Sequence, residues 1–270
     1  MDKTIEDVKN FWNRRPCNIR HSKKELGTKE YFDEVEKRRY EVEPHIAEFA
    51  NFSNWGGKKV LEIGCGIGTD TISFAKNGAY ITAIDLSEKS IDITKKRFDI
   101  YGEHGEIIYA DAENLSLFIE DQKFDLIYSF GVIHHTPNPS KVLNEIKKFS
   151  SKDTIIKLMF YSKYSWKGIG FFLQYGWKFK FDYEKTIKYF AEAQLNCPIA
   201  NVYTKKDLEF LFQDFEIIEI KKDHIFQYRI DKYINGFLDR KFIFKIMPNF
   251  IFSYLKRTLG WHYLITLKIK

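Results

Sequence analysis

Three glycines at alternate positions, Gly64, Gly66 and Gly68, follow the apolar run Val60-Leu61-Glu62-Ile63 and precede Thr69-Asp70. A strand that runs into glycines and then a helix brings bare backbone up to a ligand, because side chains there would block it. The start of the next helix offers free N–H groups and a positive dipole end, which suits a carboxylate or phosphate. Glu62 stands two residues before the first glycine, and Asp85 follows Gly64 by 21 residues at the end of the next apolar run. A carboxylate there can accept from both hydroxyls of a ribose. The dinucleotide fingerprint GxGxxG needs glycine or alanine at position 69, where this chain has Thr69, so the spacing discriminates against that ligand.

The elements around this loop alternate. Residues 59–63, 79–84, 106–110, 124–130 and 154–161 read as strands, the fourth as a near-continuous apolar run of the kind a buried parallel strand shows. Helical patterns lie between them at 71–76, 87–97 and 140–149, with Ser87 as a cap. Ahead of them, residues 5–13 read as a short helix broken at Pro16, Thr28 caps a second helix, and Pro44 restarts it. Thr204-x-x-Asp207 has the form of a capping box. Residues 215–220 read as a sixth strand and 263–269 as a last one, at or near a sheet edge. Strands alternating with helices at this spacing predict an α/β fold with a parallel sheet. Two stretches interrupt the alternation, 160–190 with 13 aromatic residues and 221–263 with 11.

The 270 residues are ample for a sizeable core, and 44% apolar with 30% charged residues is a globular composition. Cys17, Cys65 and Cys197 make an odd count with no CxxC spacing. That argues against a disulfide scaffold and a cysteine zinc site, and no metal is expected. No apolar run reaches the roughly 18–20 residues of a membrane span, and the first residues lack a secretory pattern, so a cytoplasmic protein is expected. The net charge of +6 is concentrated in 221–258, where 9 basic residues meet 3 acidic ones. Such a patch steers anions or is a solvated face. The amphipathic, basic stretch 249–257 suits a membrane surface or a buried helix, of which the buried helix is preferred.

In combination, Glu62-x-Gly64-x-Gly66-x-Gly68, Ala83-Ile84-Asp85-Leu86-Ser87, Ala110-Asp111-Ala112-Glu113-Asn114-Leu115 and Phe124-Asp125-Leu126-Ile127-Tyr128-Ser129, followed by Gly131-Val132-Ile133-His134-His135, resemble class I S-adenosylmethionine (SAM)-dependent methyltransferases. The resemblance covers about residues 55–160 and is nearest to small-molecule enzymes of the ubiquinone/menaquinone-biosynthesis type. The ends, with Trp12-Asn13-Arg14-Arg15-Pro16-Cys17 and Gly260-Trp261-His262, resemble a bacterial subgroup of that family. The implied fold is a Rossmann-like seven-stranded sheet, mostly parallel with one antiparallel strand and helices on both faces. It implies an N-terminal helical lid over 1–54 and a methyltransferase domain over 55–270, with substrate-cap insertions at about 162–202 and 224–258. Oligomeric state is left open.

The resemblance also implies roles. Glu62, Gly64, Cys65, Gly66 and Gly68 would shape the methionine end of the SAM site, with Cys65 a small filler. Asp85 would hold the ribose, Leu86 would pack on adenine, and Asp111 with Ala112 would meet the adenine amino group. Ser129 and Phe130 would line the pocket near the sulfonium. The product would be S-adenosylhomocysteine. Methyl transfer from a sulfonium asks the protein mainly for alignment and exclusion of water; a base is needed if the acceptor must lose a proton. His134 and His135, after the fourth strand, are the candidate bases. Arg14, Cys17 and His21 in the N-terminal segment, Tyr40, and Tyr203, Tyr228 and Trp261 from the aromatic stretches are candidate acceptor contacts. Arg39 could touch the cofactor carboxylate or belong to an exposed helix face. Methylation of O, N, C or S atoms is equally open. Two other readings compete. A nucleic-acid methyltransferase is disfavoured because Ser129-Phe130-Gly131 stands where an Asn/Asp-Pro-Pro-aromatic motif would be. A non-catalytic SAM-binding protein is disfavoured by the intact loop and its carboxylates.

Overall fold

The computed structural model describes residues 4–193 and 197–270. Eight strands form one sheet: β1 (Lys59–Ile63), β2 (Tyr80–Asp85), β3 (Glu106–Tyr109), β4 (Leu126–Phe130), β5 (Ile155–Ser162), β6 (Val202–Tyr203), β7 (Phe215–Asp223) and β8 (His262–Ile269). Their order is β3-β2-β1-β4-β5-β8-β7, and the two-residue β6 pairs with the end of β5. β1 to β5 are mutually parallel, while β8 runs antiparallel to both β5 and β7. The parallel sheet with one reversed strand is therefore present, with β6 as an eighth strand beyond the expected seven. β8 lies one strand in from the edge, because β7 pairs along its outer side.

The pleat explains the layers. Leu61, Ile63 and Ile127 point to one face and meet Val142, Leu143 and Ile146 of a helix over Pro139–Lys148. Val60, Leu126 and Tyr128 point to the other and meet Ile72, Phe74, Ile91 and Phe98. Each such side chain, removed from water, contributes about 1.5–3 kcal/mol. The helices, in chain order, are α1 (Ile5–Arg14), α2 (Lys29–Val42), α3 (His45–Ala50), α4 (Thr69–Lys76), α5 (Glu88–Tyr101), α6 (Pro139–Lys148), α7 (Trp166–Tyr175), α8 (Tyr183–Ala193), α9 (Lys205–Leu211), α10 (Ile230–Ile234), α11 (Phe242–Ile246) and α12 (Asn249–Leu259). Thr28, Ser87 and the Thr204/Asp207 box cap α2, α5 and α9 as their side chains allow. Tyr31, Phe32 and Val35 of α2 pack on Ile67 and Ile93, which fixes the N-terminal helices beside the glycine loop.

The aromatic stretches hold α7, α8 and α10 to α12. Part of their aromatic surface packs internally, as in the stacked Phe171–Phe190 pair at 4.5 Å. The amphipathic helix α12 is not buried: Phe250 and Tyr254 are 75% and 66% exposed, and no α12 residue is buried. Phe250, Ile251 and Tyr254 face outward, while α12 rests on its neighbours through the half-buried Phe252, Leu255 and Leu259. Among the described residues no helix is long and apolar enough to cross a membrane.

Candidate functional site

At the carboxyl ends of β1, β2 and β4 the glycine loop is held from several sides. Gly66 has φ of 56°, and a Cβ built there meets nothing closer than Cys17 Cβ at 4.0 Å, so it would project into open space. A Cβ on Gly64 would strike Val132 Cγ2 at 2.2 Å, and one on Gly68 would strike Thr94 Cγ2 at 2.7 Å. The ligand-clearing role expected of all three glycines thus falls to Gly66, while the other two are small so that neighbouring side chains can close in. Thr94 Oγ1 donates to the Gly66 carbonyl at 2.9 Å. Asp85 accepts from the Gly66 N–H on Oδ2 and from the Ser87 N–H on Oδ1, each at 2.8 Å. Burial raises its pKa to about 6, against the pull of these N–H groups.

Below the loop lies a charged network. Arg39 of α2 makes a two-pronged pair with Asp70 of α4, 2.9 Å from Nε and 2.8 Å from Nη2. Tyr128 and Tyr40 also donate to Asp70, at 3.0 and 3.1 Å. Asp70 is thereby fully partnered and sits in the first turn of α4, where the dipole favours it. The fully buried Arg97 donates to Thr69 Oγ1 at 2.9 Å and to Glu36 at 2.8 Å. Glu62 is different: it is buried and its Oε2 has no hydrogen-bond partner. Burial first, and the nearby Asp70 charge second, raise its pKa to about 8.

These groups open onto a cavity of about 980 Å³, including its mouth. Glu62, Gly64, Cys65, Gly66, Asp85, Leu86, Asp111, Ala112 and Phe130 all line it. Asp111 caps the turn over Ala112–Leu117, with Oδ1 accepting from the Glu113 N–H and Oδ2 from Asn114. Cys65 is buried, and that burial holds its thiol well above the ordinary range, as a filler requires. Ile5, Val8 and Trp12 of α1, with Cys17 and Asn18, supply the N-terminal wall. Thr136 and Arg39 also line it; the first was not singled out in the sequence.

Several predicted residues stand elsewhere. Ser129 points to the opposite face of the sheet from Phe130 and donates to the Ile63 carbonyl at 3.0 Å. Gly68 lies behind the loop. His134 is fully buried among Tyr161 and Phe160, with neither ring nitrogen partnered, and does not line the cavity. His135 does line it; its Nδ1 donates to the Ile199 carbonyl at 2.6 Å, which leaves Nε2 as the basic nitrogen. Burial makes it a weak base, lowered to about 4. Arg14 is exposed and donates to Asn10 of its own helix. His21 is tied to Tyr233 Oη at 3.1 Å. Tyr40 serves the Asp70 network, Tyr203 packs on Phe160, and Tyr228 is buried beside Phe226. Of the aromatic candidates, Trp261 lines a second cavity, of about 380 Å³, with Tyr161, Lys167, Phe171 and Phe190.

A further cluster went unread in the sequence. Glu43, His45, His224 and His262 bring one ligand-type atom each to within 4.8 Å of one another. Burial keeps all three imidazoles uncharged, that of His45 down to about 2.

The comparisons with known proteins agree with this geometry. A family model described as a methyltransferase domain matches residues 60–153. A ubiquinone biosynthesis O-methyltransferase of Pasteurella multocida (strain Pm70) is 32% identical over 176 residues, 57% of this chain and 71% of that protein. Further ubiquinone biosynthesis O-methyltransferases match over 36–44% of their own length. Magnesium protoporphyrin IX methyltransferase from Synechocystis PCC 6803, solved with bound SAH, superposes with a TM-score of 0.59 at 15% identity, covering 98% of this chain and 100% of that one. A SAM-dependent methyltransferase from Anabaena variabilis ATCC 29413 gives 0.60 at 15% identity, over 100% and 96%. At such identities the structural likeness speaks for the fold.

Proposed function

Because the chain belongs to the class I SAM-dependent methyltransferases of small molecules, we propose that it methylates a hydroxyl oxygen of a small organic acceptor. The relatives named as O-methyltransferases support oxygen as the acceptor atom. The observation that carries the reading is a cavity with an unpartnered buried carboxylate oxygen, Glu62 Oε2, at one side and the Asp85 carboxylate at another, with Gly66 bare between them.

These residues fit the cofactor. Glu62 would accept from its ammonium group, which meets the need of the orphaned oxygen. Asp85, held in place by two N–H groups, keeps lone pairs for the ribose hydroxyls. Leu86, Asp111 and Ala112 would enclose the adenine. When bound, SAM supplies a methyl group on a positively charged sulfur, which departs as a neutral thioether when the acceptor displaces it in line. The chain's work is then alignment and dryness. Phe130 and Val132 wall the reacting end, and α1 with Trp12 forms the lid over it. His135 Nε2 is placed to hold the acceptor proton.

The test is calorimetric titration of the purified chain with S-adenosylhomocysteine and, separately, NAD. The expected result is one saturable site for S-adenosylhomocysteine and none for NAD. Binding of NAD alone would overturn the reading and move the reaction to hydride transfer.

A further inference from the structure

Glu43 is the C-cap of α2, His45 opens α3, His224 follows β7, and His262 opens β8. Their ring and carboxylate atoms converge: His45 Nε2 lies 2.9 Å from His262 Nδ1, and Glu43 Oε1 lies 3.9 Å from His262 Nε2 and 4.0 Å from His224 Nε2. The three imidazole rings stand 4.6–5.1 Å apart, centre to centre. We propose that this cluster binds a divalent transition metal, Zn²⁺ first, and that the metal holds the acceptor oxygen.

Three imidazoles and one carboxylate are a donor set that suits zinc, iron or nickel, not magnesium or calcium. Four ligands about 2.0–2.2 Å from a tetrahedral zinc are about 3.3 Å from each other. One ligand atom from each of the four residues lies within 4.8 Å of the other three, so side-chain shifts of about 1 Å close the site. As a purely packed group the cluster is expensive. Among its members one contact, His45 to His262, has hydrogen-bond length. His224 adopts a left-handed backbone, φ 69°, to bring its ring there, and the Trp261 N–H fastens its carbonyl at 2.8 Å. A histidine held in that conformation costs free energy that a bound metal would offset. Two ammonium groups face the cluster, Lys167 and Lys256, and Lys256 is drawn aside by Asp223 at 2.9 Å.

The location gives the metal its role, which rests on the reading proposed above. Phe130, a wall of the cofactor cavity, stands 5.5 Å from the His262 ring and 5.9 Å from the His45 ring. Tyr161, a wall of the second cavity, stands 6.0 Å from the His262 ring. The cluster therefore packs against one wall residue of the cofactor cavity and one of an aromatic recess. A hydroxyl entering as a fifth ligand would lose its proton to solvent far more readily, as metal-bound water does, and its oxygen would then bond the methyl carbon as the sulfur–carbon bond breaks. That eases the demand on His135, which is a weak base, while His134 is sealed from the cavity.

The test uses tag-free protein, stripped with a chelator and dialysed against ZnCl₂ or CoCl₂. Metal per chain is measured by mass spectrometry, the cobalt form by visible absorption, and S-adenosylhomocysteine binding by calorimetry. The expected result is one metal per chain and the cobalt bands of a four- or five-coordinate site. His224→Asn, which tolerates the left-handed backbone, and His262→Ala should each weaken the metal at least about tenfold and leave S-adenosylhomocysteine affinity unchanged. Less than a tenth of an equivalent, or equal metal in wild type and both variants, would overturn the site. One equivalent of metal in a chain that binds no S-adenosylhomocysteine would keep the site and overturn its role at the acceptor.

Discussion

Replacing Asp85 with alanine separates two jobs that one carboxylate performs. It anchors the Gly66 and Ser87 N–H groups, one on each oxygen, and in the proposed reading it accepts from two ribose hydroxyls. A hydrogen bond to a charged group is worth about 1.5–3 kcal/mol. With two hydroxyls sharing a carboxylate that already has two partners, the expected binding loss is about 2–3 kcal/mol, or about 30- to 150-fold in Kd for S-adenosylhomocysteine. Stability should fall less, about 1–2 kcal/mol, because the open cavity lets water reach the two freed N–H groups. The pH dependence gives a second readout. The Asp85 pKa of about 6 lies above its ordinary 3.8, so folding favours the protonated form. Its contribution is greatest below about 4 and is lost as pH rises to about 6, and the alanine variant should lack that decline. Calorimetry at pH 7.5 and thermal melts from pH 4 to 7 measure both effects. An alanine variant that binds within twofold of wild type refutes the ribose assignment, whatever its melting temperature.

Three other outcomes follow from the same geometry. Gly66→Val puts a β-branched side chain at φ 56° and aims it into the cavity, so S-adenosylhomocysteine binding should vanish while the melt shows a folded protein; retained binding would refute the placement of the loop. Because Glu62 is protonated below a pKa of about 8, affinity should rise as pH increases from 6 to 8, with proton release on binding seen by calorimetry in buffers of different ionisation enthalpy. Glu62→Gln should flatten the profile, and a flat wild-type profile would refute the ammonium contact. Arg97→Met removes donors to Thr69 and Glu36 beneath the loop and should cost about 2–4 kcal/mol in urea unfolding; a cost under about 1 kcal/mol would mean the network is dispensable.

What could be read in the sequence was whatever is local. A glycine loop, the carboxylate ending the next strand and the cap at Ser87 each sit within a few residues of their partners, so spacing alone predicts them. Ser129 shows a local signal left unused: on β4 the pleat sends Leu126, Tyr128 and Phe130 to one side and Ile127 and Ser129 to the other, so one of the pair Ser129/Phe130 had to miss the cavity. The histidine pair fails for a related reason. His134 and His135 share a single turn of 3₁₀ helix, where neighbours diverge by about a third of a revolution, so one ring reaches the cavity and the other faces the core.

The histidine cluster was beyond any local rule, because its members run from Glu43 to His262. Its assembly depends on β8 entering the sheet against two strands at once. The β7–β8 register pairs Asp223 with His262, and the β5–β8 register pairs Tyr161 with His262. His262 is thus fixed between the edge strand β7, whose end delivers His224, and the aromatic recess that starts at Tyr161. The turn from α2 to α3 then brings Glu43 and His45 from the N-terminal helices, which are themselves secured to the glycine loop by Arg39 and Asp70. One signal did exist: His262 begins a strand whose next position on the same face, Leu264, is apolar and buried. An imidazole in such a place must find a partner from another element, and here the partners found are two more imidazoles and a carboxylate.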